Sequence, residues 1–132
     1  MNTLLILRGI PGSGKSTLAE TLKRTSQAVV CSVDEYFMGP NGNYVFNYLD
    51  NHKAYSACQA KAKTAMEHGS ALIVIDHTHT MEWEMEPFFQ LAQQFDYRVH
   101  VCTMENRHEG VSIHEIPEEQ IAKMKAKYKL VL

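Results

Sequence analysis

Cysteine is scarce in this sequence and badly spaced for cross-linking. Cys31, Cys58 and Cys102 make an odd number, lie far apart and form no C-x-x-C pair. That argues against a disulfide framework or a structural zinc site and suits a reducing cytoplasm. Long apolar runs are missing too. The opening MNTLLILRGIP has no basic leader region, and its aliphatic stretch is far too short to span a bilayer, so no membrane role is expected. Neither sign of charge prevails: the formal net charge is −2, which supplies no basic field for tight binding to duplex nucleic acid. Seven histidines add positive charge only under mild acid. There is no repeat and no low-complexity tract, and no protein partner is evident. What is left is an ordinary globular composition, 45% hydrophobic and 21% charged, in 132 residues, enough for one core and one domain over residues 1–132.

The apolar residues fall into two periods. Four short aliphatic runs, at about 3–8, 28–33 (AVVCSV), 71–76 (ALIVID) and 97–103 (YRVHVCT), read as strands. The first three are apolar on both pleats, as strands covered on both faces are. Helical period fills the gaps. One helix is expected from about Lys15 to Arg24, with Leu18, Leu22 and Ala19 inward, and a second from about Tyr48 to His68, with Gly69 as its terminator. A third covers about Glu82 to Phe95, where Pro87 should kink it or restart it. A fourth opens at Pro117, with Glu118 and Glu119 suited to the positive end of its dipole. Its apolar stripe is Ile121, Met124 and Tyr128, which leaves Lys123, Lys125, Lys127 and Lys129 as a solvated face. Strand alternating with helix implies a parallel sheet with right-handed crossovers. The expected fold is a three-layer α/β/α domain with a parallel sheet of four to five strands, a fifth at residues 129–132 being left open.

The first strand runs straight into GIPGSGKST. The pattern G-x-x-x-x-G-K-[ST] is met by Gly9, Gly14, Lys15 and Ser16, with a buried strand before it and a helix after it. Gly9, Pro11, Gly12, Ser13, Gly14, Lys15, Ser16 and Thr17 are therefore the expected nucleotide-binding residues. Glycines let consecutive backbone N–H groups point into one concavity, and the helix N-terminus adds partial positive charge. Lys15 is placed to reach the β- and γ-phosphates, and the Ser16 hydroxyl to ligate Mg²⁺. The loop points to a P-loop NTPase binding ATP or GTP, since no motif that reads the base is evident.

Two carboxylates end strands, where a doubly wound sheet builds its site. Asp34 follows the second strand in SVDEYF, and Asp76 closes the third in ALIVIDHT. Both are expected to face the phosphates, Asp76 as a Walker B carboxylate near Mg²⁺ or its waters. A strand-end carboxylate also commonly just caps the next turn.

RGIPGSGKST, SVDEYF, GNYVFN…HKA, IDHTHTMEWEMEPF and IHEIPEEQIAKMKAKY together resemble one family along nearly the whole chain. It is the polynucleotide-kinase-like branch of the P-loop kinases, which includes the phage 5′-hydroxyl polynucleotide kinase domain and zeta-toxin-like kinases. The resemblance implies that Asp34 is the general base that activates an acceptor hydroxyl. It also implies a basic lid between the last strand and the last helix that brings arginine to the β- and γ-phosphates; Arg107 is the arginine present there. Three departures bear on the acceptor. Phe37 stands where the phage-type enzyme has an arginine for the substrate phosphate, the lid holds one arginine, and the net charge of −2 leaves little to grip a polynucleotide backbone. Asp76-His77-Thr78-His79 matches the family's D-x-T-N at Asp and Thr but not at Asn.

Four further features carry plainer expectations. His77 and His79 read as loop residues lining the site, because no third ligand with zinc spacing accompanies them. His52 reads as a packed or exposed helical histidine. Trp83, Phe88 and Phe89 read as core, with base stacking the alternative for Trp83. Gly39-Pro40-Asn41-Gly42-Asn43 reads as a turn beside Asp34 that belongs to the acceptor pocket. The sequence thus describes an ATP- and Mg²⁺-dependent kinase with Asp34, Lys15 and Arg107 as catalytic residues and Ser16 and Asp76 at the metal. The acceptor is a hydroxyl, either a nucleic-acid 5′ end or a nucleoside, sugar or sugar-nucleotide. A nucleotide-binding module with little catalysis is the alternative.

Overall fold

A computed structural model describes residues 1–78, 81–108 and 116–131. His79 and residues 109–115 of the expected lid lie outside the described residues, as does Leu132. The strands are β1 (Thr3–Arg8), β2 (Val29–Ser32), β3 (Leu72–Asp76) and β4 (Arg98–Thr103). They form one parallel sheet in the order β2-β3-β1-β4. The helices are α1 (Lys15–Ser26), α2 (Asn51–Glu67), α3 (Glu82–Phe95) and α4 (Glu118–Lys125), with short 3₁₀ turns at Val33–Phe37 and Tyr48–Asp50. This is the parallel α/β architecture that the alternating pattern implies. Residues 129–131 form no strand.

Period-2 alternation sorts the sheet's side chains onto two faces. Leu4, Ile6, Cys31, Ile73 and Ile75 pack with Ala54, Cys58 and Ala62 of α2 and Met85, Phe88 and Ala92 of α3. Leu7 and Val74 turn the other way, onto Ala19 of α1 and Ala28, with Leu18 and Leu22 partly buried beside them. β4 differs: it is an edge strand, and of its six residues only Val99 and Thr103 are even half-buried.

Helix α3 does not restart at Pro87: it is one helix from Glu82 to Phe95 with Pro87 inside it. The N–H that proline lacks would have reached the Trp83 carbonyl, in an exposed first turn, so the helix survives the loss. Trp83 itself is 69% exposed and is no part of the core, whereas Phe88 is fully buried and Phe89 packs against it.

Helix α2 ends in a Schellman motif. The Ser70 amide donates to the Ala65 carbonyl (3.0 Å), the Gly69 amide donates to the Met66 carbonyl (3.0 Å), and Gly69 sits at φ +70°. A Cβ at Gly69 would meet nothing within 4 Å, so the cost of adding one is purely that of the left-handed backbone. Gly69→Ala is expected to lower stability by about 1 kcal/mol, read as a shifted midpoint with unchanged slope in urea unfolding. An unchanged midpoint would show that the cap contributes nothing.

Candidate functional site

The register places the ends of three strands side by side. Leu7 pairs with Asp76, and Asp76 with Ser32. The phosphate loop leaves β1 at this level, and Asp34 follows β2 in the 3₁₀ turn. The loop, Asp34 and Asp76 open onto a cavity of about 770 Å³. Its lining includes Pro11, Gly12, Gly14, Lys15, Ser16 and Thr17 of the loop and both carboxylates, Asp34 and Asp76. The structure therefore brings together most of the residues picked from the sequence.

Within the loop, Gly14 caps α1 at φ +96°, a conformation that costs a residue with a Cβ. Lys15 lies folded under the loop, its Nζ donating to the Ile10 carbonyl at 3.1 Å. Burial pushes its pKa below the usual lysine value, and the charges of Asp76 and Asp34 push it part of the way back. Ser13 is buried, and its Oγ has no hydrogen-bond partner among the described residues.

Ser16 Oγ donates to Asp76 Oδ2 at 2.9 Å. Burial raises the pKa of Asp76, against the opposing effects of that hydrogen bond and of Lys15. Hydroxyl and carboxylate oxygens meeting beside a phosphate loop are the hard donors that Mg²⁺ takes, two from the protein and the rest from water and phosphate. The pair fits that ion.

Asp34 is held from both sides. Its amide is capped by Ser32 Oγ (3.2 Å), and Tyr44 donates its hydroxyl to Asp34 Oδ1 (3.3 Å). Burial, then the Asp34 charge, raise the Tyr44 hydroxyl to about 12, so it stays a donor. Tyr44 reaches Asp34 because residues 38–44 fold into a hairpin, with Met38 bridging Tyr44 and the Gly39 amide bonded to the Asn43 carbonyl (2.7 Å). The Gly39–Asn43 turn does not line the cavity as expected; the residues just after it, Tyr44 and Phe46, do. The tip is consumed in closing the hairpin. Phe37 is buried in the core, 5.0 Å between ring centroids from Phe46.

Two residues, Tyr55 and Glu84, went unnoticed in the sequence. Tyr55 of α2 donates to Glu84 Oε2 of α3 (3.0 Å) and shares a 2.6 Å hydrogen bond with His77 Nε2. All three line the cavity. Burial lowers the His77 pKa, against the opposing charges of Asp34 and Glu84, and it raises Tyr55. His77 was expected in the lining, but nothing in a linear reading joins Tyr55 to Glu84, 29 residues away.

The lysine face is exposed, as expected, and two of its members, Lys123 of α4 and Lys127 just beyond it, also line the cavity together with Gln120 and Met124. Their spacing of three, four and seven residues is a helical stripe that could have been read as one wall. The helix is tied down beyond its end. Tyr128 donates its hydroxyl to the Thr78 carbonyl (2.6 Å), and the buried Arg8 lies 5.1 Å from the Tyr128 ring centre. Arg8 also donates to Thr103 Oγ1 (2.8 Å) and to the Lys129 carbonyl. Arg107, in contrast, is exposed, ion-paired with Glu105, and outside the cavity lining. His52 is exposed. Among the described residues no helix is long and apolar enough to cross a membrane.

Comparisons with known proteins accord with this geometry. The sequence model of the AAA domain family matches residues 4–131. Human (Homo sapiens) NEDD4-binding protein 2 is 42% identical over 97 residues, which are 73% of this chain and 5% of that protein. The 2′,3′-cyclic-nucleotide 3′-phosphodiesterase of Pongo abelii is 32% identical over 99 residues, 74% of this chain and 23% of the relative. The chain thus spans under a quarter of either relative. Among solved structures, a chain of the Pnkp1/Rnl/Hen1 complex superposes with a TM-score of 0.64 at 20% identity, over 99% of this chain and 41% of that one. Mycobacterium tuberculosis APS kinase CysC in complex with AMPPNP and APS gives 0.59 at 14%, over 96% and 69%. At such identities these likenesses speak for the fold, which is that of the P-loop kinases.

Proposed function

The chain belongs to the AAA domain family, and from that premise we propose that it is an ATP-dependent kinase transferring the γ-phosphate to a hydroxyl. One observation carries the reading: Lys15, Ser16, Asp76 and Asp34 open onto the same cavity. Asp34 takes the proton of the acceptor hydroxyl. The freed oxygen attacks the γ-phosphorus as the bond to the β–γ bridging oxygen breaks, and ADP leaves. Lys15 and the loop amides hold the β- and γ-phosphates, and Ser16 and Asp76 hold Mg²⁺ or its waters. When bound, that ion neutralises charge on the phosphates. Arg107 is assigned the transition-state cation, a role that requires it to exchange Glu105 for the phosphate. The 132 residues act as one domain, in the cytoplasm.

The acceptor divides the reading in two. The resemblance of the motifs to the polynucleotide-kinase-like family favours a nucleic-acid 5′ hydroxyl. Phe37, buried where the phage-type enzyme keeps a phosphate-binding arginine, favours a small molecule such as a nucleoside, sugar or sugar-nucleotide. The phosphodiesterase relative shares only this segment, so that activity is not carried over. A transfer screen with γ-labelled ATP over 5′-hydroxyl oligonucleotides, nucleosides and sugars tests the kinase. Label appearing in any acceptor supports it, and label in none favours the nucleotide-binding module. With the acceptor in hand, Asp76→Asn is expected to raise the Mg²⁺ concentration for half-maximal transfer about tenfold or more. An unchanged Mg²⁺ titration would remove Asp76 from the metal.

A further inference from the structure

The cavity's charges are divided between its walls. Asp34, Asp76 and Glu84 all line it. Among the described lining residues, lysine comes only from the loop (Lys15) and from α4 and the turn after it (Lys123 and Lys127), and arginine not at all. Among the described residues, the wall built by the Asp34 turn, α2, the β3 end and α3 therefore lines the cavity with carboxylates and with no lysine or arginine. On α2, Lys61 is bonded to the Val30 carbonyl (2.7 Å) and to Glu35 (3.0 Å), and Lys53 is paired with Asp50 (3.4 Å). A phosphate brought to this wall would meet the like charge of its carboxylates.

The same wall holds the linked Tyr55 hydroxyl, His77 ring and Glu84 carboxylate. A carboxylate offers acceptor oxygens, and an imidazole nitrogen can donate or accept. Groups of this kind suit neutral partners that donate hydrogen bonds, above all hydroxyls. Asp34, on the same wall, needs one hydroxyl for the chemistry; Glu84 and His77 are placed to take another.

We propose that Tyr55, His77 and Glu84 form an acceptor subsite for an uncharged polyol, a sugar or nucleoside with a second hydroxyl near the one Asp34 deprotonates. The subsite rests on the kinase reading above and narrows its acceptor. It disfavours acceptors whose reacting end carries a phosphate or only one hydroxyl, a 5′-hydroxyl DNA end among them.

The test sets ribose, glucose and adenosine against 2′,3′-dideoxyadenosine, adenosine 3′-monophosphate and a 5′-hydroxyl DNA oligonucleotide, with γ-labelled ATP and Mg²⁺. At least one polyol is expected to exceed all three counter-probes by about tenfold or more in kcat/KM. Glu84→Gln keeps the side chain's shape and its hydrogen bond to the Met81 amide (3.2 Å) but removes the charge. Glu84→Gln and Tyr55→Phe are each expected to raise the KM for that polyol about tenfold, leave the KM for ATP in place and shrink the preference. If the phosphate-bearing or single-hydroxyl probes are phosphorylated as well as the polyols, the subsite is overturned while the kinase stands. The same holds if the preference survives in both variants. If no probe is phosphorylated by folded protein, the kinase reading fails and takes the subsite with it.

Discussion

Asp34→Asn is expected to lower phosphoryl transfer by about two to four decades and to leave nucleotide affinity where it was. The substitution preserves shape and keeps an oxygen to accept from Tyr44, whose hydroxyl lies 3.3 Å from Asp34 Oδ1. What it removes is the basicity that takes the acceptor's proton. A general base acts on the chemical step, so the loss should appear in single-turnover rates and not in the binding isotherm for ATP. Retention of full transfer would place the base elsewhere and break the resemblance at its central residue. Loss of ATP binding alongside transfer would show that Asp34 supports the phosphate cradle instead.

Lys15→Ala is expected to abolish measurable triphosphate binding in a protein that still folds. The ammonium is buried, bonded to its own loop at the Ile10 carbonyl, and destabilised by that burial. Its removal therefore relieves a desolvation penalty in the free protein, while a bound triphosphate loses the one cation that the phosphate loop supplies. Calorimetry should show ATP affinity falling by about two decades or more, with the thermal midpoint of the unliganded variant near that of the parent. Unchanged affinity in a folded variant would mean that backbone amides alone hold the phosphates. An unfolded variant would mean that the Ile10 contact is structural.

Most of the scaffold was legible because it depends on local pattern. Aliphatic residues on both pleats of β1 and β3 could only be strands between two layers, and the glycines around Lys15 have a conformation-specific reason to be there. Strand ends then located Asp34 and Asp76 without further information. The legibility stopped where contacts depend on how helices lie across the sheet. Periodicity tells that α4 has two faces, and the lysine face is exposed as it implies, but it does not tell that Lys123 and Lys127 border the cavity. It gives no link between Tyr55 and Glu84, whose meeting requires α2 and α3 to pack side by side. Trp83 misled for a related reason: an aromatic residue at the start of a helix resembles core, yet the first turn of α3 projects beyond the packed layer. Arg107 was chosen by its place in the chain, and its pairing with Glu105 has no sequence period to announce it.

The strand order carries a mechanical consequence. β1 and β3 are hydrogen-bonded on both sides, whereas β2 is a four-residue edge strand bonded on one side only, to β3. The phosphate loop and Asp76 thus hang from the two inner strands, and Asp34 hangs from the rim, steadied by Lys61 reaching from α2 to the Val30 carbonyl. Local opening takes less free energy at an edge than in a doubly bonded centre. The half of the site that grips the nucleotide is therefore the stiff half, and the half that meets the acceptor is the compliant one. Substitutions around Asp34, Tyr44 and Phe46 could re-fit this domain to a new acceptor without loosening its hold on the donor.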